Sequence, residues 1–186
     1  MHTLYNILLV PARWLASLAS FGFRRDGRRR EEWAERQVRS VPLIRAGGLW
    51  IHGASVGETM IVNALATALR ESRPELPLAA SAYTRTGRDA LPGPPLVDAA
   101  FFMPFDFPGY PARLMGALQP SGLVLVETEL WPNLIREAEI RRIPVIIVNG
   151  RLSPTRMKRY RRLGSLYRPL LRSLAAVGIQ SGDDAD

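Results

Sequence analysis

The chain contains no cysteine, so disulfide bridges and thiolate metal sites are excluded. Histidine is nearly absent as well: His2 and His52 are too few for a histidine-based zinc centre. Lysine is scarcer still, because Lys158 is the one lysine among 25 basic residues. No glycine-rich dinucleotide fingerprint follows the first predicted strand, and there is no Walker loop. A Gly-x-Ser-x-Gly nucleophile elbow is also lacking. Between Glu139 and Asp183 there is no acidic residue at all.

What remains is a chain of 186 residues, enough for one well-buried domain with some appended sequence. Its net charge is +8, carried by arginine. The planar guanidinium suits bidentate phosphate or carboxylate contacts, although an arginine-favouring codon bias explains the ratio equally well. The cations form two clusters, one of Arg24, Arg25, Arg28, Arg29 and Arg30, the other running from Arg141 to Arg172. Such patches meet polyanions: nucleic acid, anionic lipid or a phosphorylated ligand.

Residues 4–23 are largely apolar, interrupted by Pro11 and Arg13. On a helical wheel Asn6, Arg13, Ser17 and Ser20 fall in one narrow stripe. The rest is apolar, including Leu8, Trp14, Leu15, Leu18 and Phe21. This pattern predicts a helix lying in a membrane interface, anchored by Trp14 and followed by Arg24 and Arg25. A cleavable signal peptide would need basic residues before the apolar stretch, whereas here they follow it, an order that keeps the next domain cytoplasmic. A single poor span and a helix simply packed on the domain are the remaining readings. The expected division is therefore residues 1–30, anchor and basic segment, and 31–186, the domain.

From Leu49 on, short apolar runs alternate with helical patterns. Strands are expected at 49–52, 77–82, 100–103, 123–126, 144–148 and 177–180, with helices at 59–71, 87–91, 108–118, 132–140 and 153–174. Continuous apolar strands alternating with helices predict an α/β fold, a Rossmann-like parallel sheet with helices on both faces. Ligands of such sheets bind beyond the carboxyl ends of the strands. The turns at those ends are distinctive. The first carries Ser55, Gly57 and Glu58, with a carboxylate at the positive end of a helix. The second carries Thr86 and Gly87, the third Pro104-Phe105-Asp106, the fourth Glu127 and Glu129, and the fifth Arg151 and Ser153. Capping alone accounts for a single such turn. Two carboxylates hard against an apolar strand are harder to dismiss, being costly unless paired or used.

These turns, in this order, resemble the Kdo transferase family (3-deoxy-D-manno-octulosonic acid transferases). The elements are the run from Trp50 to Glu58, Thr84-Arg85-Thr86-Gly87, Pro104-Phe105-Asp106, Glu127-Thr128-Glu129-Leu130-Trp131-Pro132-Asn133 and Asn149-Gly150-Arg151-Leu152-Ser153. Gly53 and Gly150 depart modestly from the family pattern. The resemblance implies the N-terminal, acceptor-binding half of a glycosyltransferase-B (GT-B) enzyme, without its C-terminal donor-binding domain and inactive alone. Its reaction would be inverting transfer of Kdo from CMP-Kdo to lipid A precursor, at the cytoplasmic side of a Gram-negative inner membrane. Glu58 matches the general base. Ser55, Gly57, Thr86, Gly87, Glu127, Glu129, Arg151 and Ser153 would line the acceptor site, with Arg151 suited to a phosphate. No metal or cofactor is implied, and no nucleic-acid partner. Two alternatives stand: the acceptor domain of another membrane-associated GT-B enzyme, and a non-catalytic basic module for nucleic acid or anionic membrane.

Overall fold

The computed structural model describes residues 2–22, 26–151, 158 and 160–180, with side chains of 19–22 left aside. Arg24, Arg25 and Ser153 thus lie outside the described residues, as does the side chain of Phe21. The elements in chain order are α1 (His2–Gly22), α2 (Gly27–Arg36), β1 (Leu49–His52), α3 (Val56–Ser72), β2 (Leu78–Ala82), α4 (Arg85–Ala90), β3 (Ala99–Phe102), α5 (Tyr110–Leu118), β4 (Gly122–Val126), α6 (Pro132–Ile140), β5 (Val145–Gly150), α7 (Gly164–Arg172) and β6 (Ala176–Ile179).

The six strands form one sheet in the order β3-β2-β1-β4-β5-β6, every neighbouring pair parallel. This is the doubly wound, Rossmann-like order. Alternate residues of the inner strands feed two cores. Trp50, Phe101, Leu123, Leu125, Val145 and Ile147 pack with Leu114, Met115, Leu134 and Ile135 on the face covered by α5 and α6. Ile51, Leu78, Ala80, Ala82 and Val126 pack with Val62 and Ala66 of α3 on the other. Burial on both faces explains why the inner strands read as continuous apolar runs.

Two sequence expectations are corrected, and one helix is found where the sequence pattern indicates none. The basic stretch 27–36 is helix α2, capped by the Asp26 carboxylate accepting from the Arg29 N–H at 3.1 Å. Helix α3 begins at Val56, three residues before the expected start. The helix expected over 153–174 does not run through: Leu163 is non-helical and a new helix starts at Gly164, where glycine's poor helix propensity weakens continuation. Residues 153–157 and 159 of that expectation lie outside the described residues.

Helix α1 packs on the domain with its polar side inward. Tyr5 hydrogen-bonds Asp106, Leu9 and Ala16 pack on the core, and the Arg13 guanidinium lies over the Tyr110 ring at 5.4 Å. Asn6 and Ser17, members of the polar stripe, are half-buried. The opposite side is left open: Leu8, Trp14, Leu15 and Leu18 are each 64–68% exposed. Among the described residues no helix is long and apolar enough to cross a membrane.

Candidate active site

The strand order reverses at β1, which lies between β2 and β4. At such a switch point a crevice opens beyond the carboxyl ends of the two adjoining strands. His52, the last residue of β1, is in register with Leu125 of β4, so the turns that follow these strands emerge side by side.

The β1 turn is built around Glu58. Ser55 is the N-cap residue of α3, which places Glu58 at the third helical position with its side chain directed back over the helix start. One carboxylate oxygen accepts from the Ala54 N–H at 2.7 Å, the other from the Ser55 hydroxyl at 2.8 Å. The residue is buried, yet each oxygen keeps a lone pair. Gly53 makes the tight approach possible, since a Cβ there would lie 3.0–3.1 Å from Glu58 atoms and 2.9 Å from Val62. Gly57 is exposed, with open space where a side chain would stand.

The β2 turn is clamped to the β1 turn. The Ala54 carbonyl accepts from the N–H groups of Tyr83 and Thr84 and from the Thr84 hydroxyl. Thr84 also caps α4 by accepting from the Gly87 N–H at 3.0 Å. Gly87 is buried in this contact, where a Cβ would meet Thr84 Oγ1 at 2.8 Å and the Ala54 carbonyl oxygen at 3.2 Å. Thr86 is exposed beside it. Ser55, Glu58, Thr86 and Gly87 are therefore one structural unit.

Across the crevice, Glu127 closes β4 in the left-handed region, with φ of 60°. A non-glycine residue there is uncommon and marks a locally over-determined backbone. Its N–H is held by the Val148 carbonyl, while its half-buried carboxylate makes no hydrogen bond or ion pair among the described residues. Thr128 is buried and acts as a clasp: its hydroxyl donates to the Arg151 carbonyl at 2.7 Å and accepts from the Arg151 N–H at 3.1 Å. The Tyr160 hydroxyl donates to the Thr128 carbonyl. Arg151 is thus fixed by its backbone, with an exposed side chain. Glu129 lines a cleft with Tyr5, Trp131, Tyr160 and Tyr167.

Asp106 sits behind these turns. Its carboxylate accepts from the N–H groups of Asn133 and Leu134 and from the Tyr5 hydroxyl, each at 2.9 Å, and so caps α6 from another segment of the chain. Burial pushes its carboxyl up to about 7, against the opposing pull of those three donors. His52 is fully buried, and burial pushes it down to about 4. Its Nδ1 lies 2.9 Å from the Ser81 hydroxyl and 3.1 Å from the Ser81 carbonyl. Sequence reasoning assigns no role to Asp106, Thr128, Trp131 or Tyr160. The one available signal is that Asp106, Thr128 and Trp131 stand in strand-end turns.

Comparison with known proteins follows the same turns. The family profile described as 3-Deoxy-D-manno-octulosonic-acid transferase (kdotransferase) matches residues 22–186. The chain is 32% identical over 135 residues to a 3-deoxy-D-manno-octulosonic acid transferase of Haemophilus influenzae, covering 72% of this chain and 31% of that protein. It is 32% identical over 152 residues to the Bordetella pertussis enzyme of the same name, covering 77% and 35%. A probable mitochondrial 3-deoxy-D-manno-octulosonic acid transferase of Arabidopsis thaliana is 29% identical over 130 residues, 69% of this chain and 29% of that protein. The matches thus span about a third of the length of these relatives.

Proposed function

This chain belongs to the 3-deoxy-D-manno-octulosonic-acid transferase family, and on that premise we propose that it supplies the acceptor site and general base of an inverting GT-B glycosyltransferase. The donor is CMP-Kdo, bound by the remainder of a two-domain enzyme. The acceptor is a lipid A precursor presented at the cytoplasmic side of the inner membrane. Residues 31–186 form the acceptor-binding domain, and residues 1–30 hold it at the lipid surface. In that role α1 lies in the interface, and its exposed Leu8, Trp14, Leu15 and Leu18 support the reading.

The observation that carries the proposal is the setting of Glu58. Two donors fix its carboxylate at the switch-point crevice, and no described cation pairs with it. In the proposed step an acceptor hydroxyl oxygen bonds to the anomeric carbon of Kdo as the bond from that carbon to the CMP phosphate oxygen breaks. The electron pair leaves with CMP, and the hydroxyl proton passes to Glu58. A positioned base of this kind contributes about 10²–10⁴-fold in rate. Glu127, which follows β4 and makes no hydrogen bond or ion pair through its carboxylate among the described residues, accepts a hydrogen bond from a sugar hydroxyl in this reading. Ser55, Thr86 and Arg151 border the same turns.

The rival reading for Glu58 is a helix cap, favoured by its Ser55 contact. Glu58→Gln separates the two, because the amide oxygen still accepts at the helix start while the base is lost. The assay is Kdo transfer from CMP-Kdo to tetra-acylated lipid A precursor by a two-domain enzyme containing this chain. A loss of 10²-fold or more with unchanged thermal unfolding is expected; full activity in Glu58→Gln would make Glu58 a cap alone.

A further inference from the structure

We infer that Thr128 and Tyr160 are positioning residues, a buried clasp that sets Glu127 and Arg151 in place beyond the ends of β4 and β5. The inference rests on the reading of those two side chains as acceptor contacts given above. The two strands run parallel with Val126 beside Val148, and the Glu127 N–H extends the ladder by one bond, to the Val148 carbonyl at 2.9 Å. At that level both backbones turn into the left-handed region, Glu127 with φ of 60° and Asn149 with φ of 54°. Two non-glycine residues in this region, at matching places on neighbouring strands, mark a backbone that its surroundings must hold.

The Thr128 side chain does the holding. Its hydroxyl donates to the Arg151 carbonyl at 2.7 Å and accepts from the Arg151 N–H at 3.1 Å. One hydroxyl thus satisfies both backbone groups that a neighbouring strand would otherwise take. The Tyr160 hydroxyl donates to the Thr128 carbonyl at 3.1 Å, across 32 positions of sequence. Tyr160 belongs to the core that holds Leu134, Ile147 and Leu170, and its ring centroid lies 4.6 Å from that of Tyr167 in α7. The β4 turn, the β5 turn and the segment that carries α7 therefore meet in one buried hydrogen-bonded set.

The side chains that the clasp carries are not fixed by contacts of their own. Neither the Glu127 carboxylate nor the Arg151 guanidinium makes a hydrogen bond or ion pair among the described residues. Their placement follows the backbone beneath them. Thr128 and Tyr160 are buried, and the hydroxyl of each donates within the clasp. Both residues thus act through Glu127 and Arg151 rather than on a substrate. Such placement matters, because a shift of about 1 Å at a substrate contact costs on the order of 10²-fold in rate.

The test compares Thr128→Val, which keeps the shape and removes the hydroxyl, with Thr128→Ser, which keeps the hydroxyl, and with Tyr160→Phe. Amide hydrogen exchange on the full chain reads the clasp without donor, acceptor or turnover. Thr128→Val should speed exchange of the Arg151 N–H by about tenfold or more and shift the Glu127 amide resonance, and Thr128→Ser should restore both. Kdo transfer by a two-domain enzyme containing this chain, measured well below its unfolding temperature, reads the consequence. There kcat should fall roughly 10- to 100-fold in Thr128→Val and about tenfold in Tyr160→Phe, and return to within about threefold of the parent in Thr128→Ser. If Thr128→Val fails to fold, Tyr160→Phe carries both readouts, since it removes only the outer bond. Unchanged protection of the Arg151 N–H would overturn the inference whether or not the enzyme is active. Lost protection with the parent's kcat would overturn it too, leaving the clasp purely structural. A parent enzyme that transfers no Kdo would sink the enzymatic reading instead, and hydrogen exchange would still decide whether the clasp sets Glu127 and Arg151.

Discussion

Tyr5 and Asp106 stand 101 positions apart in the chain, and the Tyr5 hydroxyl donates to the Asp106 carboxylate at 2.9 Å. That carboxylate also takes the first free N–H groups of α6, so one side chain joins the N-terminal helix to the helix that follows the Glu127–Trp131 turn. Asp106→Ala leaves two backbone donors and a hydroxyl without a partner in a buried place. We expect a loss of about 3 kcal/mol in urea unfolding, from the lost cap and the stranded donors. Asp106→Asn keeps one accepting oxygen and should cost roughly half as much. Tyr5→Phe removes a single bond, at about 1 kcal/mol. Equal stability of all three variants would show the hub to be energetically idle.

His52 and Asp106 make opposite contributions to stability over one pH window. The Asp106 carboxyl is raised to about 7 from an ordinary 3.8, so between those values the folded chain binds the extra proton. Its contribution is present at low pH and lost as pH rises through about 7. His52 is lowered to about 4 from 6.5, so the unfolded chain binds the extra proton. Its contribution is present above 6.5 and lost as pH falls through about 4. The two partly cancel in the parent protein. Asp106→Asn should therefore reveal stability that rises from pH 4 to 6.5, and His52→Gln stability that falls from pH 4 to 7. Urea titrations at half-unit pH steps read both slopes, and parallel profiles in the two variants would contradict the assignment.

The sheet was legible because its inner strands are buried on both faces and carry apolar side chains without alternation. β1 spans 49–52 and α6 spans 132–140 as the sequence alone indicates. Helix α2 was not legible, because only Trp33 and Ala34 break its run of charged residues. It is held by contacts made far along the chain. Glu35 accepts from the Phe102 N–H, and the Arg36 guanidinium is buried over the Phe102 and Tyr83 rings at 4.7 and 4.8 Å. The same limit applies to the site. Glu58 announces itself through its local Ser55 spacing, whereas the partners of Asp106 and Thr128 lie 23 to 101 positions away and leave no local pattern.

Gly87 lets the β1 and β2 turns touch. Its φ is ordinary, so the need is for space rather than for an unusual backbone. A methyl group at this position would meet Thr84 Oγ1 at 2.8 Å and backbone atoms of Ala54 and Ser55 at 3.2 Å. Gly87→Ala should cost about 1–3 kcal/mol through this overpacking. By pushing on Ser55 it should also lower Kdo transfer more than the stability loss explains. Gly57→Ala meets open space and serves as the comparison for stability, where a change within about 0.5 kcal/mol is expected.

The two sides of α1 should respond oppositely to substitution. Leu9 and Ala16 pack on the core, so Leu9→Ser should lower stability by about 1–2 kcal/mol, the usual scale for a partly buried aliphatic side chain. Trp14 and Leu15 are 67% exposed, so Trp14→Ser and Leu15→Ser should leave unfolding almost unchanged. If α1 lies in a leaflet, each outward substitution instead weakens binding to phosphatidylglycerol vesicles. About 1 kcal/mol of lost apolar burial corresponds to roughly a fivefold drop in partitioning. Vesicle co-sedimentation at low and high salt measures this. The apolar contribution should survive salt, while attraction between arginine and anionic lipid should fade once the Debye length shortens from about 10 to about 3 Å. Vesicle binding that is abolished by salt and indifferent to Trp14 and Leu15 would assign membrane contact to the basic segments and leave α1 as a packing helix.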